Sequence, residues 1–202
     1  MTVKLLSAAA GAVLIASMAQ ATPPRSQPDP SVHHIREMTK RFQDVAVAEA
    51  EGYVAASPCE TAAMMGKDPA MGAMGVHYAR PDLLQLTAFE PRVDGVGTHT
   101  DFNEPAVLVY EPQADGSMKL VAVENLVFKA AWDAENGGRR PSFRGRLYNY
   151  MADDPATEVD EAHGFAPHYD LHVWVHEPNP NGLYAQFNPN VTCAHAPHPG
   201  GH

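Results

Sequence analysis

Histidine recurs at even spacing in the segment His168-Tyr169-Asp170-Leu171-His172-Val173-Trp174-Val175-His176. In a β-strand the period of two places His168, Asp170, His172, Trp174 and His176 on one face, and Tyr169, Leu171, Val173 and Val175 on the other. The second set reads as a core face. The first offers imidazole and carboxylate donors whose same-face neighbours stand about 7 Å apart, a spacing that suits two ligands of one metal ion. His168 and His172 are about 13 Å apart on a regular strand, so both reach one ion only across a bulge or bend. A solvent-exposed edge strand is the competing reading, and the bulk of Trp174 argues instead for a covered face.

Glu124 is the next donor. Strict alternation over Met118 to Phe128 would group it with Met118, Leu120, Ala122, Leu126 and Phe128. A carboxylate on so apolar a face has to be paired, protonated or bound to a cation; an arginine from a facing loop would satisfy it as well as a metal. His77, in Gly75-Val76-His77-Tyr78, is the third donor, with a hydrogen-bonded structural histidine as the alternative. His77, Glu124, His168 and His172 together make a three-histidine, one-glutamate set for zinc, copper, manganese or iron. No HExxH or CxxC spacing accompanies it, and it assigns no catalytic residue.

Other groupings compete. His99-Thr100-Asp101, with His163, His168 or His172 downstream, resembles the facial triad of non-haem iron oxygenases. However, no Lys or Arg follows Arg146 to hold a 2-oxo acid. Met64, Met65, Met71 and Met74 offer soft thioether ligands for Cu(I), or fill irregular gaps in a core. Arg139, Arg140, Arg144 and Arg146 could dock an anion, or pair with Asp153, Asp154, Glu158, Asp160 and Glu161. His195, His198 and His202 in the tail can chelate adventitiously. GxSxG, a phosphate loop and GxGxxG are all missing, which weakens hydrolase and nucleotide-dependent readings.

The elements that would position these donors follow from the pattern. Residues 1–21 read as a signal peptide: Lys4, an apolar run from Leu5 to Met18, and Ala19-Gln20-Ala21 as cleavage site. The run is too short for a bilayer span of roughly twenty residues, and no second apolar run of spanning length follows it. The formal net charge of −10, made more negative when Lys4 leaves, excludes a basic nucleic-acid-binding surface. After a flexible lead-in at 22–30, residues 31–193 form one domain and 194–202 a disordered His-rich tail. Cys59 and Cys193 are the only cysteines, and in an oxidising compartment the pair reads as one disulfide. It would close a loop of about 134 residues, worth at most about 5 kcal/mol.

Ile35, Met38, Phe42, Val45 and Ala48 form one apolar stripe on an amphipathic helix of about six turns, starting at Asp29-Pro30 and ending near Gly52. Residues 57–76 read as irregular, and Arg80-Pro81-Asp82 as the start of a short helix. A hairpin joins Ala106–Glu111 to Met118–Phe128 through Gln113-Ala114-Asp115-Gly116. Residues 133–163 read as a long loop. A second hairpin pairs Tyr169–His176 with Leu183–Phe187 through Asn179-Pro180-Asn181-Gly182. The expected fold is α+β: the N-terminal helix packed on an antiparallel sheet built from two hairpins, with a long irregular loop and one disulfide.

The stretches GAMGVHYARPDLL, VLVYEPQADGSMKLVAVENLVF, HGFAPHYDLHVWVHEPNPNG and FNPNVTC resemble those of a family of exported bacterial proteins with no known activity, over about residues 40–193. The resemblance implies a bacterial source and a periplasmic or secreted location. It carries over no activity or site residue. Three functions fit the sequence: a divalent-metal-binding protein, which includes a non-haem metal-dependent enzyme; a non-enzymatic module binding a small molecule or a protein partner, with Tyr169, Trp174 and the 133–163 loop lining a pocket; and a structural protein of the cell envelope.

Overall fold

The computed structural model describes residues 29–197 of the 202-residue chain. The expected signal peptide, most of the lead-in and the end of the tail lie outside them. The fold mixes helices with an antiparallel sheet and carries one disulfide, Cys59–Cys193.

The N-terminal apolar stripe forms two helices rather than one. Ser31, not Asp29, caps α1 (Val32–Thr39), its side chain accepting from the His34 N–H. A 3-10 turn over Lys40–Gln43 follows, and Asp44 in extended conformation caps α2 (Val45–Ala50) by accepting from the Ala46 N–H. Aspartate competes for backbone N–H groups, so it starts a new helix more readily than it continues one. The stripe survives the break: Ile35, Phe42 and Ala48 are all buried in one cluster.

Six strands form the main sheet: β1 (Val54–Thr61), β2 (Ala73–Ala79), β3 (Val107–Pro112), β4 (Met118–Phe128), β5 (Asn149–Met151) and β6 (His168–Val173). Their spatial order is β1-β2-β3-β4-β6-β5, and every neighbouring pair is antiparallel. Three expectations are corrected here. Residues 57–76, read as irregular, supply β1 and the start of β2. Their glycines serve close backbone approaches: at Gly75 (φ 116°) a Cβ would fall 2.5 Å from the Tyr110 carbonyl oxygen. The sheet is also not built from two hairpins. β3 and β4 form the expected one, but Leu183–Phe187 does not form a strand. It reaches the chain beyond β6 through the Trp174 N–H bond to the Leu183 carbonyl, and β6 pairs instead with β4 and β5. The turn at Asn179–Gly182 is present, with Gly182 N–H bonded to Asn179, but Pro178 and Pro180 lack the N–H groups a ladder needs. The 133–163 loop is likewise shorter than expected, because α3 (Lys129–Asn136), a two-stranded ribbon (Ser142–Phe143 with Arg146–Leu147) and β5 occupy its first part.

The sheet separates two kinds of chemistry. On one face Leu108, Tyr110, Val123, Val127, Tyr169, Leu171 and Val173 pack with Ile35, Phe42 and Ala48 of the helices. On the other, Ala79, Val107, Leu126 and Phe128 meet Leu84, Val93 and Phe165, while Val109, Ala122 and Trp174 meet Val191. A bulge in β4 corrects the predicted grouping around Glu124. Val109 pairs with Ala122 but Tyr110 pairs with Leu120, so Val121 is the extra residue. One extra residue inverts the alternation. Leu120 and Met118 therefore join the helix-side cluster, while Ala122, Glu124, Leu126 and Phe128 share the opposite face.

Candidate metal centre

Three strands, β2, β4 and β6, carry the donors of this second face, with β3 lying between the first two. His77 on β2 is opposite Val109, Glu124 on β4 lies between Val107 of β3 and His172 of β6, and all three side chains are buried. Their donor atoms converge. His77 Nε2 and His172 Nε2 are 3.4 Å apart, and each is 3.3 Å from Glu124 Oε2. A tetrahedral ion with bonds of about 2.0–2.1 Å separates its ligand atoms by about 3.3–3.4 Å; an octahedral ion at about 2.1 Å separates adjacent ones by about 3.0 Å. The observed triangle has tetrahedral edges.

Hydrogen bonding orients one of these donors. Ser57 Oγ donates its single hydrogen to the Pro58 carbonyl (2.8 Å) and accepts from the His77 backbone N–H (3.1 Å). It therefore receives the His77 Nδ1 hydrogen over 2.9 Å, leaving Nε2 with a bare lone pair aimed at Glu124 and His172. Neither oxygen of Glu124 has a hydrogen-bond partner, nor does His172 Nδ1, which stands 4.0 Å from Asp170 Oδ2.

The protonation states follow from burial. Desolvation pushes His77 down to about 4 and Glu124 up to about 8. His172 lies well below the usual histidine range for the same reason, with its histidine neighbours adding to it. Burial alone drives these groups to neutral forms, and a divalent cation held there would reverse the preference at Glu124 by supplying positive charge.

His168 does not join this set. β6 runs without a bulge against β4, so His168 sits opposite Phe128, two same-face steps from His172. Its imidazole belongs to a second group with His163 and Asp170, whose donor atoms lie within 4.8 Å of one another. The period-two reading of β6 already contained Asp170. His163 belongs to a loop, where no periodicity marks its direction.

The competing groupings disperse. His99 bonds through Nε2 to the Glu104 carbonyl (2.7 Å), and Asp101 takes the Asn103 N–H, so that motif organises its own loop. Met65 and Met74 are buried with Phe187, whereas Met64 and Met71 are exposed. Asp153 and Asp160 are paired by Arg92 rather than by the downstream arginines. A surface cavity of about 670 Å³ is lined by Trp132, Arg139 and Arg140, not by Tyr169 or Trp174. Trp174 is buried and stacks on His172 with centroids 5.9 Å apart. No helix among the described residues is long and apolar enough to cross a membrane. In comparisons with protein-family models, curated proteins and solved structures, nothing matches the chain.

Proposed function

We propose that this is an exported bacterial protein that binds a divalent transition-metal ion in its interior, through His77, Glu124 and His172. The observation that carries the reading is the triangle of 3.3–3.4 Å among three buried donor atoms, one histidine tautomer fixed from outside and the carboxylate oxygens without hydrogen bonds. Buried polar atoms are nearly always satisfied, and an exception calls for a reason. A cation is a reason that suits all three donors at once. Two imidazoles and one carboxylate favour zinc or a similar borderline ion over calcium and magnesium, which take oxygen ligands. Three protein ligands leave a fourth position open for water or a small ligand. The disulfide and the leader-like start of the sequence support export.

The test is the metal content of protein purified without an affinity tag from its native compartment, measured by elemental analysis. At least one near-stoichiometric ion is expected, unchanged in His99→Ala, with one equivalent lost in His172→Ala. A metal-free protein that also fails to take up Zn²⁺, Cu²⁺ or Mn²⁺ overturns the proposal.

A further inference from the structure

We infer that His163, His168 and Asp170 form a second divalent-cation site beside the first, so that the protein holds two ions on one face of its sheet. The inference rests on the reading of the first site but draws on different atoms. All three residues are buried, with relative exposures of 1%, 0% and 0%. Their donors lie within 4.8 Å of one another, and four of their polar atoms have no hydrogen-bond partner: His163 Nδ1 and Nε2, His168 Nε2 and Asp170 Oδ2.

The surroundings orient these donors as they do in the first set. His168 Nδ1–H donates to the Ala166 carbonyl over 2.9 Å, which leaves the lone pair on the unpartnered Nε2. Asp170 Oδ1 accepts from Asn149 Nδ2 at 3.1 Å, holding the carboxylate while Oδ2 stays free. His163 comes from outside the sheet, at a backbone φ of 42° that few residues other than glycine adopt. That segment is tied down around it. Val93 receives the 164–166 backbone through two hydrogen bonds of 2.9 Å, and Arg92 holds Asp160 and the Phe165 carbonyl. The His163 ring packs 5.2 Å from both His77 and His168, so it borders the first set while belonging to the second.

Composition supports the pairing. Each set has two imidazoles and one carboxylate, so each carboxylate would partly neutralise its own ion, which neighbouring dications need in a buried site. The imidazole content again selects a borderline transition-metal dication.

The experiment uses the full chain with His195, His198 and His202 replaced by Ala, stripped with EDTA and titrated with Zn²⁺; bound zinc is counted by elemental analysis after gel filtration. Two ions per chain are expected, falling to one in His163→Ala, one in His168→Phe and one in Glu124→Leu. His168→Phe keeps an aromatic ring against Phe165, so it reports if His163→Ala fails to fold. One ion, lost on Glu124→Leu but kept in His163→Ala and His168→Phe, overturns the second site and leaves the first standing. One ion lost in every variant means a single shared site and also overturns it. No uptake by the parent protein overturns both readings.

Discussion

Replacing Glu124 with leucine should make the metal-free protein more stable while removing the share of its stabilisation by zinc that comes from the first site. The Glu124 side chain is fully buried, its carboxyl oxygens make no hydrogen bond, and its face is shared with Ala122 and Leu126. Burying a neutral polar group without partners costs about 1–3 kcal/mol, and an apolar side chain of similar length removes that cost. The raised pKa acts in the same direction. The unfolded chain ionises near 4.5 and the folded metal-free chain only near 8, so the stability tied to this group is present below 4.5 and lost as pH rises through 8. The advantage of leucine should therefore widen from pH 5 to pH 8. Zinc at a hundred times its dissociation constant should stabilise the parent protein by about 2.7 kcal/mol, or roughly 5–10 °C in Tm for a domain of this size, through the first site alone. The parent's total zinc response should exceed the variant's by about that amount. Urea titrations in EDTA and in excess zinc measure both effects. A metal-free Glu124→Leu protein less stable than the parent by more than about 1 kcal/mol would refute the reasoning, because the carboxyl would then be making a favourable contact.

Three further outcomes follow from other residues. Ser57→Ala removes the acceptor that fixes the His77 tautomer, and zinc affinity should fall about 10–100-fold in a protein that stays folded; isothermal titration with an unchanged affinity would exclude that role. Glu60 is buried, and its pKa is pushed up to about 7 by desolvation and then by Asp160. The stability it contributes is full below about 4.5 and lost as pH rises through 7. The stability of the parent relative to Glu60→Gln should therefore drop by up to about 3 kcal/mol between pH 4.5 and 7.5, whereas a flat difference would contradict the assignment. Replacing Cys59 and Cys193 together with Ser should cost about 2–5 kcal/mol, read from urea unfolding midpoints in EDTA.

Legibility in the sequence followed periodicity. β6 announced its two faces because it runs six residues without a bulge, and the donors His172 and Asp170 fell on the face the alternation required. In β4 the alternation marks Glu124 but puts Met118 and Leu120 on its face, because Val121 carries no mark of the extra residue. The β1–β2 pair is not legible because Pro58 and Gly75 are poor strand formers, and long-range pairing overrides local propensity there. His163 was beyond periodicity altogether. Its position depends on Arg92 and Val93, some seventy residues away in sequence, gripping the chain on either side.

These placements suggest why the disulfide and the site belong to one design. A sheet face carrying His77, Glu124, His168, Asp170 and His172 is a poor folding nucleus, because burying those groups forfeits hydration. The helix-side face, by contrast, is continuous and apolar, and can hold the strands together alone. What needs independent fastening is the cover on the site side. Asn188 exchanges both backbone hydrogen bonds with Ala73 at the start of β2, Val191 packs on Val109 and Ala122, and Cys193 then locks to Cys59 of β1. The disulfide thus anchors the segment behind the donors whether or not metal is bound. The same logic predicts that zinc should recover more stability in the Cys59→Ser, Cys193→Ser protein than in the parent, if metal-free opening of that cover is what the disulfide suppresses. Equal zinc-induced gains in Tm for the two proteins would show that cover and site are energetically independent.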